Sequence, residues 1–119
     1  MWRLRILLTA ALILGVACDD VTFVERIVIV NETEYDTNVD VRGNSGGWLG
    51  LTMVPAHVTR EVREVIDQGQ SWTFRFSYGR HEPVEFALSR KDLVEAAWRV
   101  AVPDELEINL RAEGVPPPP

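Results

Sequence analysis

Ser71-Trp72-Thr73-Phe74-Arg75-Phe76-Ser77-Tyr78 sets a large aromatic side chain at every second position. A backbone that sends successive side chains to opposite faces puts Trp72, Phe74, Phe76 and Tyr78 on one side and Thr73, Arg75 and Ser77 on the other, whereas a helical turn would scatter them. The segment is therefore predicted as a β-strand with one face in a hydrophobic core. A chain that must bury such a face needs a second layer to lay over it.

The same period recurs more weakly along the chain. Glu25 to Asn31 carries the continuous apolar stretch Ile27-Val28-Ile29-Val30, and Tyr35, Thr37, Val39 and Val41 alternate with Asp36, Asn38, Asp40 and Arg42. A turn at Asn31-Glu32-Thr33-Glu34 is expected to pair these two runs as a hairpin. Gly43-Asn44-Ser45-Gly46-Gly47 reads as a turn before a strand over Trp48–Val54. Further alternation places Val84, Phe86 and Leu88, then Val100 and Val102, then Leu106, Ile108 and Leu110 on strands. Short strands at near-regular spacing predict an all-β chain, an immunoglobulin-like β-sandwich of about seven short antiparallel strands, without the cysteines of antibody domains.

Two segments break the pattern. Ser89-Arg90-Lys91-Asp92 has the layout of a capping box, which predicts a short helix over residues 90–97. Val58, Val62 and Val65 have helical spacing, but the β-branched content of Val58–Ile66 favours a strand or bent strand. Val115-Pro116-Pro117-Pro118-Pro119 is expected to be extended polyproline II, either a loose end or a ligand for an aromatic groove.

The N-terminus has a different character. Arg3 and Arg5 precede a run from Ile6 to Ala17 that is apolar or small almost throughout, and Cys18-Asp19-Asp20 ends it. A basic start, an apolar run of about 12 residues and small residues before a boundary make the pattern of a secretory signal peptide, too short to span a bilayer. Leu14-Gly15-Val16-Ala17-Cys18 resembles the lipobox that ends the signal of bacterial lipoprotein precursors. The resemblance implies cleavage between Ala17 and Cys18 and acylation of the Cys18 sulfur and amine, with the membrane as a partner through that anchor. Gly15 and Ala17 also suit an ordinary signal peptidase, so release without a lipid is the competing expectation. Cys18 is the one cysteine of the chain, and acylation would dispose of a thiol that has no disulfide partner. The predicted organisation is a signal peptide over 1–17, a lipidated N-terminus and linker over 18–23, a β-domain over 24–112 and a Pro-rich tail over 113–119.

Charge narrows the partners. The 119 residues hold 12 Lys and Arg against 18 Asp and Glu, a formal charge of −6. Loss of Arg3 and Arg5 with the signal leaves 10 basic residues and a charge of −8. Nucleic acid is not an expected partner, because phosphate neutralisation needs clustered Lys and Arg and Lys91 is the single lysine.

No catalytic motif is present: no Gly-x-Ser-x-Gly, no His-Glu-x-x-His, no Cys-x-x-Cys. Gly43–Gly47 lacks the lysine of a phosphate loop, and Asn31-Glu32-Thr33, a formal glycosylation acceptor, is taken as a turn. Glu32, Glu34, Asp36 and Asp40 supply oxygens of the kind calcium takes but read better as a solvated strand face. Met53, His57 and His81 are candidate copper ligands at a spacing no metal motif uses. Arg75, His81 and Glu85 are the polar residues a secreted enzyme would gather in a cleft. Trp72 and Trp98 are expected in the core, as is Trp48, which leaves a glycine-rich turn and is also a candidate contact residue. The function expected is that of a non-enzymatic envelope lipoprotein, a binding or spacer module without cofactor; the alternatives are a metal carrier or sensor and a secreted domain without an anchor.

Overall fold

In a computed structural model, which describes residues 21–119, the chain is mostly β, with seven strands in two sheets. Strands β1 (Phe23–Val30), β4 (Thr59–Ile66) and β7 (Arg99–Ala101) form a three-stranded sheet in the order β4-β1-β7. Strands β2 (Thr37–Arg42), β3 (Leu49–Val54), β5 (Ser71–Ser77) and β6 (Val84–Ser89) form a four-stranded sheet in the order β3-β2-β5-β6. One buried cluster joins their inner faces: Ile27, Ile29, Val65 and Val100 from the smaller sheet, Val39, Val41, Trp72, Phe74 and Phe76 from the larger. Trp72, Phe74 and Phe76 are fully buried, as the alternation requires, and Val58–Ile66 yields the expected strand.

Three expectations are corrected. The first two runs do not form a hairpin: β1 pairs with β4 and β7, and β2 pairs with β3 and β5. The reason lies in the intended turn, where Asn31, Thr33 and Tyr35 are buried and turn the chain from one sheet into the other. The strands are not all antiparallel, because β7 runs parallel to β1. Residues 104–112 are not a strand but a second helix. Helices α1 (Arg90–Glu95) and α2 (Asp104–Ala112) flank β7. In α2 the residues that matter are Leu106 and Leu110, buried at helical spacing, while Ile108 between them is 64% exposed. Asp104, Glu105 and Glu107 in the first turn and the Glu107–Arg111 pair favour the helix. The tail is not wholly loose: the Tyr35 hydroxyl donates to the Val115 carbonyl at 2.6 Å, and Val115 packs on the core.

Helix α1 starts as its sequence says. The Ser89 hydroxyl accepts from the Asp92 amide at 3.0 Å, and the Asp92 carboxylate accepts from the Ser89 amide at 3.3 Å. After it, Ala97 and Trp98 both take left-handed φ, 53° and 59°, which swings the chain into β7 and sets Trp98 edge-on against Trp72, ring centres 5.3 Å apart. Gly43 is required where it stands, because a β-carbon there would lie 2.5 Å from the Gln68 carbonyl oxygen.

Candidate functional site

The outward face of the four-stranded sheet brings together Asp40, Arg75 and Glu85 of the polar residues singled out in the sequence. Asn38, Asp40 and Arg42 on β2 stand opposite Ser77, Arg75 and Thr73 on β5. A bulge in β3 lets Val39 face Thr52 and Asp40 face Gly50, so Leu51 is the extra residue. The lack of a side chain at Gly50 leaves room for the Asp40 carboxylate, and Arg75 donates to its Oδ2 from Nε at 3.1 Å and from Nη2 at 3.0 Å. Glu85 faces Arg75 from the other side, in register on β6.

Trp48 joins this row from the glycine-rich turn. It is half-buried, with the Arg75 guanidinium 4.2 Å and the Arg42 guanidinium 4.6 Å from its ring centre. Two cations over one indole fix its position by attraction to the ring face. Trp48 thus belongs to the outer surface, where the core had been the favoured expectation. Two shallow grooves meet at Ser77: one lined by Asn38, Asp40, Gly50, Leu51 and Thr52, the other by Arg75, Gly79, Arg80, His81 and Pro83. The surface offers hydroxyl, amide, carboxylate and guanidinium groups along two shallow, open grooves. That suits hydrogen bonding and stacking against a broad polar partner rather than enclosure of a small substrate.

Arg75 and His81 of the expected enzymatic cleft do share a groove, and Glu85 neighbours Arg75. Arg75 is held by Asp40, however, and His81 stacks on Tyr78 with ring centres 6.0 Å apart. Tyr78 in turn meets Tyr35 edge-on at 5.3 Å, and Tyr35 holds Val115, so His81 caps an aromatic column that ends at the tail. His81 Nδ1 lies 3.8 Å from Glu113 Oε2. Of the candidate metal ligands, Met53 is exposed, His57 Nε2 is 2.8 Å from Glu34 Oε1, and His81 belongs to the aromatic column. Among the described residues no group of three or more His, Cys, Asp or Glu could hold a metal ion. Glu32, Glu34, Asp36 and Asp40 are dispersed: Glu34 takes His57, Asp36 caps the Ala56 amide at 3.0 Å, and Asp40 takes Arg75. Ala17 and Cys18, with the rest of the signal segment, lie outside the described residues.

Sequence reasoning missed two constellations. At the corner after β1, Asn31 Nδ2 donates to the carbonyls of Tyr35 and Val54, each at 2.9 Å, and its Oδ1 accepts from the Thr33 hydroxyl at 2.7 Å and the Thr33 amide at 3.0 Å. With its nitrogen buried and spent on these bonds, Asn31 is no glycan acceptor in the fold. At the opposite end of β1, Asp67 accepts from Arg90 Nη1 at 2.6 Å and from the Gly69 amide at 2.9 Å. Burial raises the Asp67 pKa, but the Gly69 amide and the Arg90 guanidinium outweigh it and hold the carboxyl below its ordinary value. A short polar side chain before a turn was the only sequence signal for either.

The chain matches no family model, no curated protein and no solved structure.

Proposed function

We propose that this chain is a small envelope lipoprotein, anchored through Cys18 after loss of residues 1–17, whose β-domain serves as a non-catalytic binding or spacer module outside the cytoplasmic membrane. The observation that carries the reading is the order Arg3, Arg5, apolar run, Ala17, Cys18, then a domain of mixed charge with no other cysteine. Two or more acyl chains at about 0.8 kcal/mol per buried methylene hold a protein stably where one chain does not. The proposed architecture is an immunoglobulin-like sandwich, supported by the three-plus-four division of strands, two β-hairpins within the larger sheet and repeated passage of the chain between sheets. The proposed contact surface is the outer face of the larger sheet around Trp48, Arg42 and Arg75.

The mass of the N-terminal peptide from the native host, with detergent phase partition, tests the anchor. A diacylated Cys18 at the N-terminus is the expected result; an unmodified Cys18 would make the protein a released domain, as Gly15 and Ala17 allow. For the surface, envelope partners cross-linked to the wild-type protein should be lost from Trp48→Ala, and retention of the same partners would move the contact elsewhere.

A further inference from the structure

Apolar side chains are exposed together at one end of the smaller sheet. Val21 is 68% exposed, Phe23 58% and Ile66 45%. Phe23 and Ile66 are register partners on β1 and β4, so their side chains stand side by side on the outer face. The entry segment is not free to fold away from them, since the Thr22 carbonyl accepts from the Asp67 amide at 3.0 Å and Arg90 fastens Asp67 to α1. The next outward pair along the sheet is Arg26 opposite Arg63. Trp98, half-buried, lines a small pocket beside them with Val24, Glu25 and Arg26.

We infer that Val21, Phe23 and Ile66 are the membrane-facing foot of the domain, entering the boundary between headgroups and acyl chains of the bilayer that holds the anchor. The inference rests on the lipid-anchored reading above. Residues 1–20 of the chain end at this patch, and three covalent steps separate Cys18 from Val21, which keeps their α-carbons within about 11 Å of each other. An acylated sulfur at the membrane surface therefore holds the patch at the depth where amphipathic surfaces bury apolar side chains. Above the apolar trio come Arg26 and Arg63, whose long stems suit the headgroup layer, and an indole, which favours the interface. The remainder of the acidic domain is repelled from anionic lipid, so β1 and β4 stand away from the bilayer and the Asn31 corner faces outward.

The test uses the full acylated chain, reconstituted into vesicles of phosphatidylethanolamine and phosphatidylglycerol. Acylation leaves Cys18 without a thiol, so Ile66→Cys and, separately, Glu32→Cys each accept one nitrobenzoxadiazole label. Glu32 is exposed just past the far end of β1. Dithionite should bleach the label at residue 66 at least about fivefold more slowly than at residue 32, as burial in the interface requires. Phe23→Cys repeats the measurement should Ile66→Cys not fold. Equal rates on acylated protein overturn the foot and leave the anchor standing; an unacylated N-terminal peptide in the same preparation overturns the anchor reading and the foot with it.

Discussion

The two sheets share one core but are built by different means. In the larger sheet, β5 keeps a single parity from end to end: Trp72, Phe74 and Phe76 stack in sequence with ring centres 6.3 and 6.2 Å apart, and Phe86 of β6 stacks on Phe74 and Phe76 at 6.1 and 5.4 Å. In the smaller sheet, β1 buries Val24, then Ile27 and Ile29, and β4 turns Val62 and Val65 inward, so both strands change parity partway. The change falls at the one place where register partners are skipped, between Glu25 and Glu64, and Glu64 has φ of 53°. Only such a break lets a strand with apolar residues three apart keep them all on one face. A uniform aromatic strand thus defines the core, while a broken aliphatic one is fitted to it.

The largest test of this difference is removal of one inner side chain from each sheet. Phe74→Ala should cost about 3–5 kcal/mol, because an aromatic ring packed on both sides leaves a cavity, while Val65→Ala should cost about 1–2 kcal/mol. Urea unfolding followed by tryptophan fluorescence measures both, and an unchanged denaturant slope makes the midpoints comparable. Equal losses would show that the smaller sheet contributes as much as the larger.

The same difference explains what could be read in advance. β5, β2 and β6 announce themselves, because in each every second residue is apolar or small and goes inward. Val58, Val62 and Val65 mimic a helix because the parity break at Glu64 turns a strand period into intervals of four and three. Leu106, Ile108 and Leu110 mimic a strand because an exposed Ile108 falls between two helical contacts. The parallel β1–β7 pairing rests on backbone turns at Ala97 and Trp98, where non-glycine residues give no sign of a left-handed bend. In the candidate site, the glycine-rich turn made Trp48 a candidate while its apolar ring favoured the core, and its two arginines gave no signal, since only the β2–β5 register brings Arg42 and Arg75 beside it. The Asn31 corner was misread because a polar Asn-Glu-Thr segment ordinarily lies in solvent, and here its bonds are internal.

That corner joins the sheets, so breaking it probes their coupling. Asn31→Ala leaves the Tyr35 and Val54 carbonyls without their donor in a buried site and should cost about 2–3 kcal/mol. Hydrogen exchange should then report faster opening of the amides of β2 and β3 nearest the corner. A loss under about 0.5 kcal/mol would mean that the Thr33 and Thr37 hydroxyls suffice.

At the other end, Asp67 ties β4 to α1. Its carboxyl is held below its ordinary value, so the folded state binds that proton less readily than the unfolded state. The stabilisation is therefore present above the ordinary carboxyl range and is lost as pH falls through the lowered folded value. Asp67→Asn should cost about 1 kcal/mol at neutral pH, with the gap to the wild-type protein closing in acid. A gap that stays constant down to strongly acidic pH would assign the loss to packing instead of charge.

The smallest effect bears most directly on the broken strand. Glu64 sits in left-handed backbone, which costs a residue with a β-carbon about 1–2 kcal/mol relative to the right-handed regions, whereas glycine adopts it freely. Glu61, three residues earlier, has no such φ, and its pairing with Arg63 is largely exposed and worth little. Glu64→Gly should therefore raise the unfolding midpoint by the equivalent of about 0.5–1 kcal/mol, after the added freedom of the unfolded chain is subtracted. Glu61→Gly should lower it by about the same amount, because glycine weakens an ordinary strand. Opposite signs from the same replacement on one strand would locate the parity break at Glu64. The same sign at both positions would mean that β4 tolerates glycine uniformly, and that the inward turn of Val65 is enforced by the core rather than by a bend in the strand.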